Sequence, residues 1–214
     1  VITVCADPIF NQAAKLKYMS GGQCSIPMVL RAPMGAGRRN AGQHSQSLEQ
    51  MYLHVPGLKV VVPSTPYDAK GLLKTAIRDN NPVVFLEQKR LYNTKGQVPA
   101  EDYTIPFGVA DTKKEGKDVS IITYGRMVQM SLQVADKLEK EGISVEVIDL
   151  RTLAPLDKEA VIATAKKTRR VVVVHEAVQF GGFGGEIVST IVDSDAFFYL
   201  DAPVKRVGGL YCPV

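Results

Sequence analysis

The sequence predicts an α/β fold arranged as two mainly parallel-sheet domains. Short, near-continuous apolar runs such as "LKVVVPS", "PVVFLEQ" and "RRVVVVHE" read as strands covered on both faces. Amphipathic segments alternate with these runs, which is the order of β-α-β units. The alternation breaks once, over residues 93–117, where prolines, glycines and charges replace periodicity. These observations divide the chain into a first domain at 1–92, a linker at 93–117 and a second domain at 118–214.

In the first domain, Ile9, Ala13 and Leu16 suggest a helix that stops at "MSGG", with Pro8 tolerated in its first turn. "IPMVLRAP" is a short buried strand. "PMGAGRRNAGQ" is a loop, because its glycines and proline disfavour regular structure. "SQSLEQMYLHV" reads as a short helix, and "LKVVVPS" as the next strand. The clearest helix is "STPYDAKGLLKTAIRDNNP". Thr65 can cap it, Pro66 suits its first position and Asp68 faces the positive end of its dipole. Ala69, Leu72, Leu73, Ala76 and Ile77 then form one apolar stripe. "PVVFLEQ" closes the block.

Within the connector, a short extended piece is expected around "YTIPFG". The second domain starts with the strand "DVSIITYG". A helix follows that puts Val128, Leu132, Ala135 and Leu138 on one side. "ISVEVIDL" is a strand, "PLDKEAVIATAKKT" a helix with Asp157 near its start, and "RRVVVVHE" a strand. "GGFGGEIVSTIVD" is a glycine turn entering a helix, and "APVKRVGG" an edge strand.

Composition narrows the function classes. A 45% hydrophobic and 22% charged chain of 214 residues can bury a sizeable core. Net charge is +4, but the basic residues are scattered, which argues against a nucleic-acid surface. Cys5, Cys24 and Cys212 are few, far apart and form no CxxC, which points to a reducing compartment rather than a disulfide framework or zinc site. No apolar run approaches the roughly 20 residues of a membrane span. The chain opens on Val1 inside a helical pattern and stops after "GLYCPV", so it reads as truncated at both ends and its targeting is not readable.

Three segments could carry chemistry. His44 lies in "AGQHSQSLEQ"; if a helix begins at Ser45 to Ser47, its free N–H groups favour a neutral imidazole suited to proton transfer. Ser47 and Gln50 fit a capping box, so helix initiation alone also explains the polar run. In "AIRDNNP", helix C-terminal carbonyls followed by Asp79 and Asn81 could hold a hard cation, or simply close the helix in an Asp/Asn turn. The turn "GGFGGE" at 181–186 could cradle phosphate, but it is not GxGxxG and lacks a GKS/T ending, so tight packing on a sheet is the better reading. His54 ends a short helix. His175 ends a strand, where open α/β sheets face crevices, which makes it a candidate supporting residue. Cys5 has no evident basic partner and reads as structural.

The run "YMSGGQ…IPMVLRAPMGAG…QHSQSLE…HVPGLKVVVPSTPYDAKGLL…AIRDNNPVVFLE" resembles the beta subunit of the thiamine-diphosphate-dependent E1 component of 2-oxo acid dehydrogenase complexes. "VEVIDLRTLAPLD" and "VVVVHEAVQFGGFGGEI" resemble the same family's C-terminal part, so the likeness spans nearly the whole chain. It implies a thiamine-diphosphate (pyrimidine) binding domain, here without its beginning, followed by a transketolase C-terminal domain. It implies an α2β2 heterotetramer of E1 alpha subunits and two beta subunits that serves a lipoyl-bearing E2 acyltransferase. In bacteria it would be a cytoplasmic enzyme. Thiamine diphosphate would lie between subunits, its diphosphate and magnesium held by alpha, with beta's own cofactor-binding residues upstream of Val1. The reaction would be decarboxylation of pyruvate or cleavage of acetoin, followed by acyl transfer to lipoamide. A branched-chain 2-oxo acid enzyme, an inactive assembly domain and an unrelated dinucleotide-binding oxidoreductase are the alternatives.

Residue by residue, the resemblance makes His44 of "QHSQ" catalytic, acting on the substrate adduct and in acyl transfer. It makes Met28, Ala76, Ile77, Asp79 and Asn81 ligands of a monovalent cation, usually potassium, the first three through backbone carbonyls. Arg38 and Arg39 depart from the smaller residues expected in that loop, as anionic-substrate or subunit contacts or as surface charge on a mobile loop.

Overall fold

The computed structural model describes residues 2–213. They divide into two compact units: 2–107 together with Thr152–Pro155, and 108–151 together with 156–213. The strands, in chain order, are β1 (Val29–Met34), β2 (Lys59–Val61), β3 (Val83–Gln88), β4 (Asp111–Lys114), β5 (Val119–Thr123), β6 (Val145–Asp149), β7 (Thr152–Ala154), β8 (Val171–Val178) and β9 (Lys205–Gly209). The α-helices are α1 (Leu16–Met19), α2 (Glu49–Leu53), α3 (Pro66–Arg78), α4 (Arg126–Glu139), α5 (Lys158–Thr168) and α6 (Gly184–Val192).

The first unit's sheet has the order β1-β3-β2-β7. β1 and β2 both run parallel to β3, with Val29 opposite Val83 and Val61 opposite Phe85. β7, from residues that follow β6 in sequence, adds antiparallel to β2. β3 is buried almost throughout, as its apolar run predicts. α3 covers one face. The Thr65 hydroxyl accepts from the Asp68 N–H at 3.1 Å, and Pro66 takes the first helical position, where no N–H is needed. Leu72 and Ala76 pack against Val61, Val83, Phe85 and Ile105. Ile77, expected in that stripe, is 63% exposed. Its position lies at the edge of the apolar face, past the sheet.

The start of the chain differs from the single helix expected. It is a 3-10 turn at Ile2–Cys5, a π-helical turn at Pro8–Ala13 and then the one-turn α1. Pro8 removes a donor at the head of the second piece, and Gly21 and Gly22, both at positive φ, end the third. The segment expected to be a helix from Ser45 is also shorter. A 3-10 turn at Gly42–His44 comes first, and α2 begins only at Glu49. Leu48 occupies the cap position and makes no side-chain cap bond, so Ser47 and Gln50 form no capping box.

The second unit's sheet has the order β4-β6-β5-β8-β9. β6, β5, β8 and β9 are mutually parallel, and β4 pairs antiparallel with β6. β4 falls inside residues 93–117, expected to be irregular. Its polar sequence, "DTKK", hides a strand that takes its register from β6. β9 forms the edge. Ala135 of α4 packs with Val145 and Val147, and Leu132 and Leu138 pack around them. The Asp157 carboxylate caps α5, accepting from the Ala160 N–H at 2.9 Å. A buried carboxylate, Glu146 on β6, is satisfied by Ser120, Thr164 and Lys167, as a charge out of water requires.

Candidate functional site

Parallel strands end together, and ligands of open α/β sheets bind beyond their carboxyl ends. In the first unit a cavity of about 740 Å³ opens there. Its floor is apolar: Ala32 and Met34 from β1, Leu86 from β3 and Tyr52 from α2. Its rim is the polar loop that carries Asn40, Gln43, His44 and Gln46, faced by Lys89 just after β3. His44 is exposed to this space and is not sealed in the core.

The loop is tied down at several points. Gly35 N–H donates to the Gln46 carbonyl at 3.0 Å, and the Ser45 hydroxyl donates to the Ala41 carbonyl at 2.8 Å. The Lys89 ammonium donates to the His44 carbonyl. Arg39 (φ 54°) and Ala41 (φ 56°) occupy left-handed backbone without being glycine. Such conformations cost of order 1 kcal/mol or more each and persist where surrounding contacts enforce them. The structure therefore presents the imidazole at the end of a 3-10 turn, held by a lysine. It does not place it at the N-terminus of α2, which starts five residues later; the helix-dipole argument made from the sequence has no geometric basis.

Sequence reading missed Lys89 and Tyr52. Lys89 follows a strand and resembles any surface lysine until the fold brings it to residue 44. Tyr52 looks like core, and burial, with the Cys5 thiol beside it, pushes its hydroxyl up to about 12. It is a neutral phenol in the floor at any physiological pH.

The second candidate is the turn after α3. Asp79 does close the helix: its Oδ1 accepts from the Asn81 N–H at 2.8 Å and from the Asn81 side-chain amide at 2.7 Å. The Lys59 ammonium binds Oδ2, and Lys17 Nζ donates to Asn81 Oδ1 at 3.0 Å. Burial alone would raise the Asp79 carboxyl. The Lys59 and Asn81 hydrogen bonds outweigh it and hold the group below the usual carboxylate value. Both side-chain oxygens of Asp79 thus accept hydrogen bonds. The Met28 carbonyl accepts from the Val83 N–H at 2.9 Å and the Ala76 carbonyl from the Asp79 N–H at 3.3 Å. A carbonyl has two lone pairs, so each keeps acceptor capacity. Asp79 braces this turn through both of its side-chain oxygens.

The remaining candidates resolve structurally. His175 is 2% exposed, because β8 runs on to Val178 instead of ending at the histidine. Its Nδ1 lies 3.1 Å from the Ala177 carbonyl. A β-carbon on Gly182, Gly184 or Gly208 would stand 2.6, 2.8 or 2.9 Å from the imidazole. The glycines of "GGFGGE" make room for this ring, which decides for packing over a phosphate cradle. Burial, reinforced by the Arg206 charge against the Ala177 hydrogen bond, lowers the His175 pKa. His54 is an exposed helix end. The three cysteines are unpaired. Among the described residues no cluster of three His, Cys, Asp or Glu could hold a metal ion, and no helix is long and apolar enough to cross a membrane.

Two family models match this chain in succession: transketolase, pyrimidine binding domain, at residues 5–95, and transketolase, C-terminal domain, at residues 108–214. The chain belongs to the transketolase family. Within this family it is 51% identical over 209 residues to the 2-oxoisovalerate dehydrogenase subunit beta of Bacillus subtilis (strain 168), covering 97% of this chain and 64% of that one. It is 53% identical over 211 residues to the acetoin:2,6-dichlorophenolindophenol oxidoreductase subunit beta of Cupriavidus necator, covering 99% and 62%. It is 52% identical over 202 residues to the pyruvate dehydrogenase E1 component subunit beta of Bacillus subtilis (strain 168), covering 94% and 62%. The chain thus spans slightly less than two thirds of these relatives' length. A solved split-gene transketolase, an inactive beta4 tetramer, has the same fold: TM-score 0.73 at 24% identity, over 95% of this chain and 64% of that one.

Proposed function

We propose that this chain is the greater part of the beta subunit of a thiamine-diphosphate-dependent E1 enzyme. That enzyme decarboxylates a 2-oxo acid, or cleaves acetoin, and passes the acyl group to lipoamide on an E2 acyltransferase. The observation that carries this reading is His44, exposed on a cavity at the carboxyl ends of β1 and β3, in a chain about half identical to such subunits. The identities to the 2-oxoisovalerate, acetoin and pyruvate relatives lie between 51% and 53%, so they support the reaction class and not one substrate within it.

Thiamine diphosphate, when bound, supplies a carbon centre that accepts the negative charge left by decarboxylation. An apolar floor with amides around its rim suits the flat pyrimidine end of such a cofactor. Its diphosphate and magnesium belong to the alpha subunit in this reading. Tyr52, Leu86 and Met34 exclude water from the floor. Lys89 fixes the His44 backbone and so limits where the imidazole can reach. In acyl transfer the lipoyl S–S bond breaks as one sulfur bonds the acyl carbon. The acyl carbon's bond to the cofactor would break with its electron pair returning to the cofactor, and His44 would relay the proton that the acyl hydroxyl releases to the other sulfur, which leaves as a thiol.

The test is His44→Ala in the enzyme assembled with its alpha subunit. Lipoyl acylation, followed in a single turnover, is expected to fall about 100-fold or more. The melting temperature should stay put, because the ring is exposed. Acylation at the wild-type rate would remove the role.

The reading includes a potassium ion at the turn after α3, on the backbone carbonyls of Met28, Ala76 and Ile77 and on oxygens of Asp79 and Asn81. Potassium in place of lithium at equal ionic strength should raise the melting temperature. Asp79→Ala, which frees the turn, should abolish the difference; a difference that survives the substitution refutes the site.

A further inference from the structure

A second cavity of the first unit, about 500 Å³, is lined by Gly37, Arg38, Arg39, Arg90 and Asn93. All its charged walls are guanidinium groups. Among the described residues no carboxylate pairs with Arg38, Arg39 or Arg90. The nearby carboxylate Glu87 is already engaged: Arg31 Nε sits 2.6 Å from one oxygen, and the Tyr92 hydroxyl donates to the other at 2.9 Å. Like charges gathered without a counter-charge repel, and a bound anion relieves that cost.

The arrangement is built by the backbone as well as by charge. Arg38 Nη2 donates to the Lys89 carbonyl at 3.0 Å, which anchors one edge of that guanidinium and leaves its other donors free. Arg39 holds a left-handed backbone, φ 54°, that turns the loop between the two arginines. Gly37, at φ 89°, lets Arg90 close in: a β-carbon at this position would stand 2.8 Å from Arg90 Nε. Any side chain at 37 would displace that guanidinium and strain the backbone.

We propose that Arg38, Arg39 and Arg90 form a binding site for a phosphate-type anion, a diphosphate in preference to a single phosphate. A guanidinium fork binds carboxylate and phosphate alike. A planar carboxylate offers two oxygens in one direction, and one or two forks exhaust it. The tetrahedral oxygens of a phosphate face several directions and can engage three forks at once, with the Asn93 amide as a further donor. The site lies on this chain alone. In the function proposed above, the cofactor's diphosphate is held by the partner subunit, so this anion is a different one, and the site stands whether or not that function is correct.

Calorimetric titration of this chain with inorganic pyrophosphate, inorganic phosphate and citrate, at ionic strength held constant with chloride, tests it. Pyrophosphate is expected to bind saturably at one site, more tightly than phosphate or citrate. Arg39→Gln and Arg90→Gln should each weaken it about tenfold or more, the loss of a charge-assisted hydrogen-bond pair. Gly37→Ala should weaken it too, by displacing Arg90. Arg169→Gln, which removes a cation of the second unit paired with Asp201, should change nothing. Denaturant midpoints of the variants show that they are folded. Heats that do not saturate, citrate binding as tightly as pyrophosphate, or full affinity in Arg39→Gln and Arg90→Gln each overturn the site.

Discussion

His175 shows how much one residue can depend on its surroundings. It stands inside a strand whose neighbours are valines, and three glycines from two segments leave it the space it fills. Burial lowers the pKa of this imidazole in the folded chain, while the unfolded chain protonates it near its ordinary value of about 6.5. Because the folded pKa is depressed, protons favour the unfolded state, and stability falls as the pH drops below that value. The slope contributed is at most about 1.4 kcal/mol per pH unit. Denaturant midpoints of the wild type between pH 7 and 5 should therefore decline more steeply than those of His175→Gln; parallel curves would show that the ring titrates freely. Asp79 has the same sense. Its carboxylate is held in the charged form by Lys59 and Asn81, so what it contributes is kept above the ordinary carboxylate pKa and lost on acidification. His44 differs from both in facing the cavity, and its placement comes through its carbonyl rather than its ring.

Among the elements, α3 is where local rules and structure agree most closely. Thr65, Pro66 and Asp68 each sit where capping, fixed φ and the dipole want them, and Leu72 and Ala76 meet β2 and β3. Thr65→Ala removes the acceptor of the Asp68 N–H and should cost about 1 kcal/mol of stability in denaturant titration. No loss would mean that water replaces the cap at no cost. α3 begins just after β2 and ends at the turn that Asp79 closes. Elements with weaker local preference came out differently. The chain start broke into 3-10, π and α turns, and α2 shortened to Glu49–Leu53. β4 and β7 have little strand character of their own and form because β6 and β2 offer them open hydrogen-bonding edges.

On the scale of the whole molecule, the chain carries the family's pyrimidine-binding and C-terminal regions but spans under two thirds of its relatives. In the proposed assembly it contributes an imidazole, and the partner subunit grips the coenzyme. Purified alone and given thiamine diphosphate, magnesium and pyruvate or acetoin, it should therefore release no carbon dioxide and acylate no lipoamide. Turnover by the isolated chain would place the entire cofactor site on it and refute the division of labour.

Fold class, the strong helix α3 and the family could all be read from the amino acids, since each depends on periodicity, capping or a contiguous motif. Contacts distant in sequence could not be read. Lys89 reaches residue 44, Lys59 reaches Asp79, Arg90 joins Arg38 and Arg39, and β7 returns to β2 across the intervening chain. Those side-chain pairings arise when parallel strands bring like ends together, Lys89 and Arg90 at the carboxyl ends and Lys59 with Asp79 at the amino ends, and no local propensity encodes which side chains meet. The glycine cage of His175 has the same origin: a missing β-carbon acquires meaning only when a ring from another strand is packed against it.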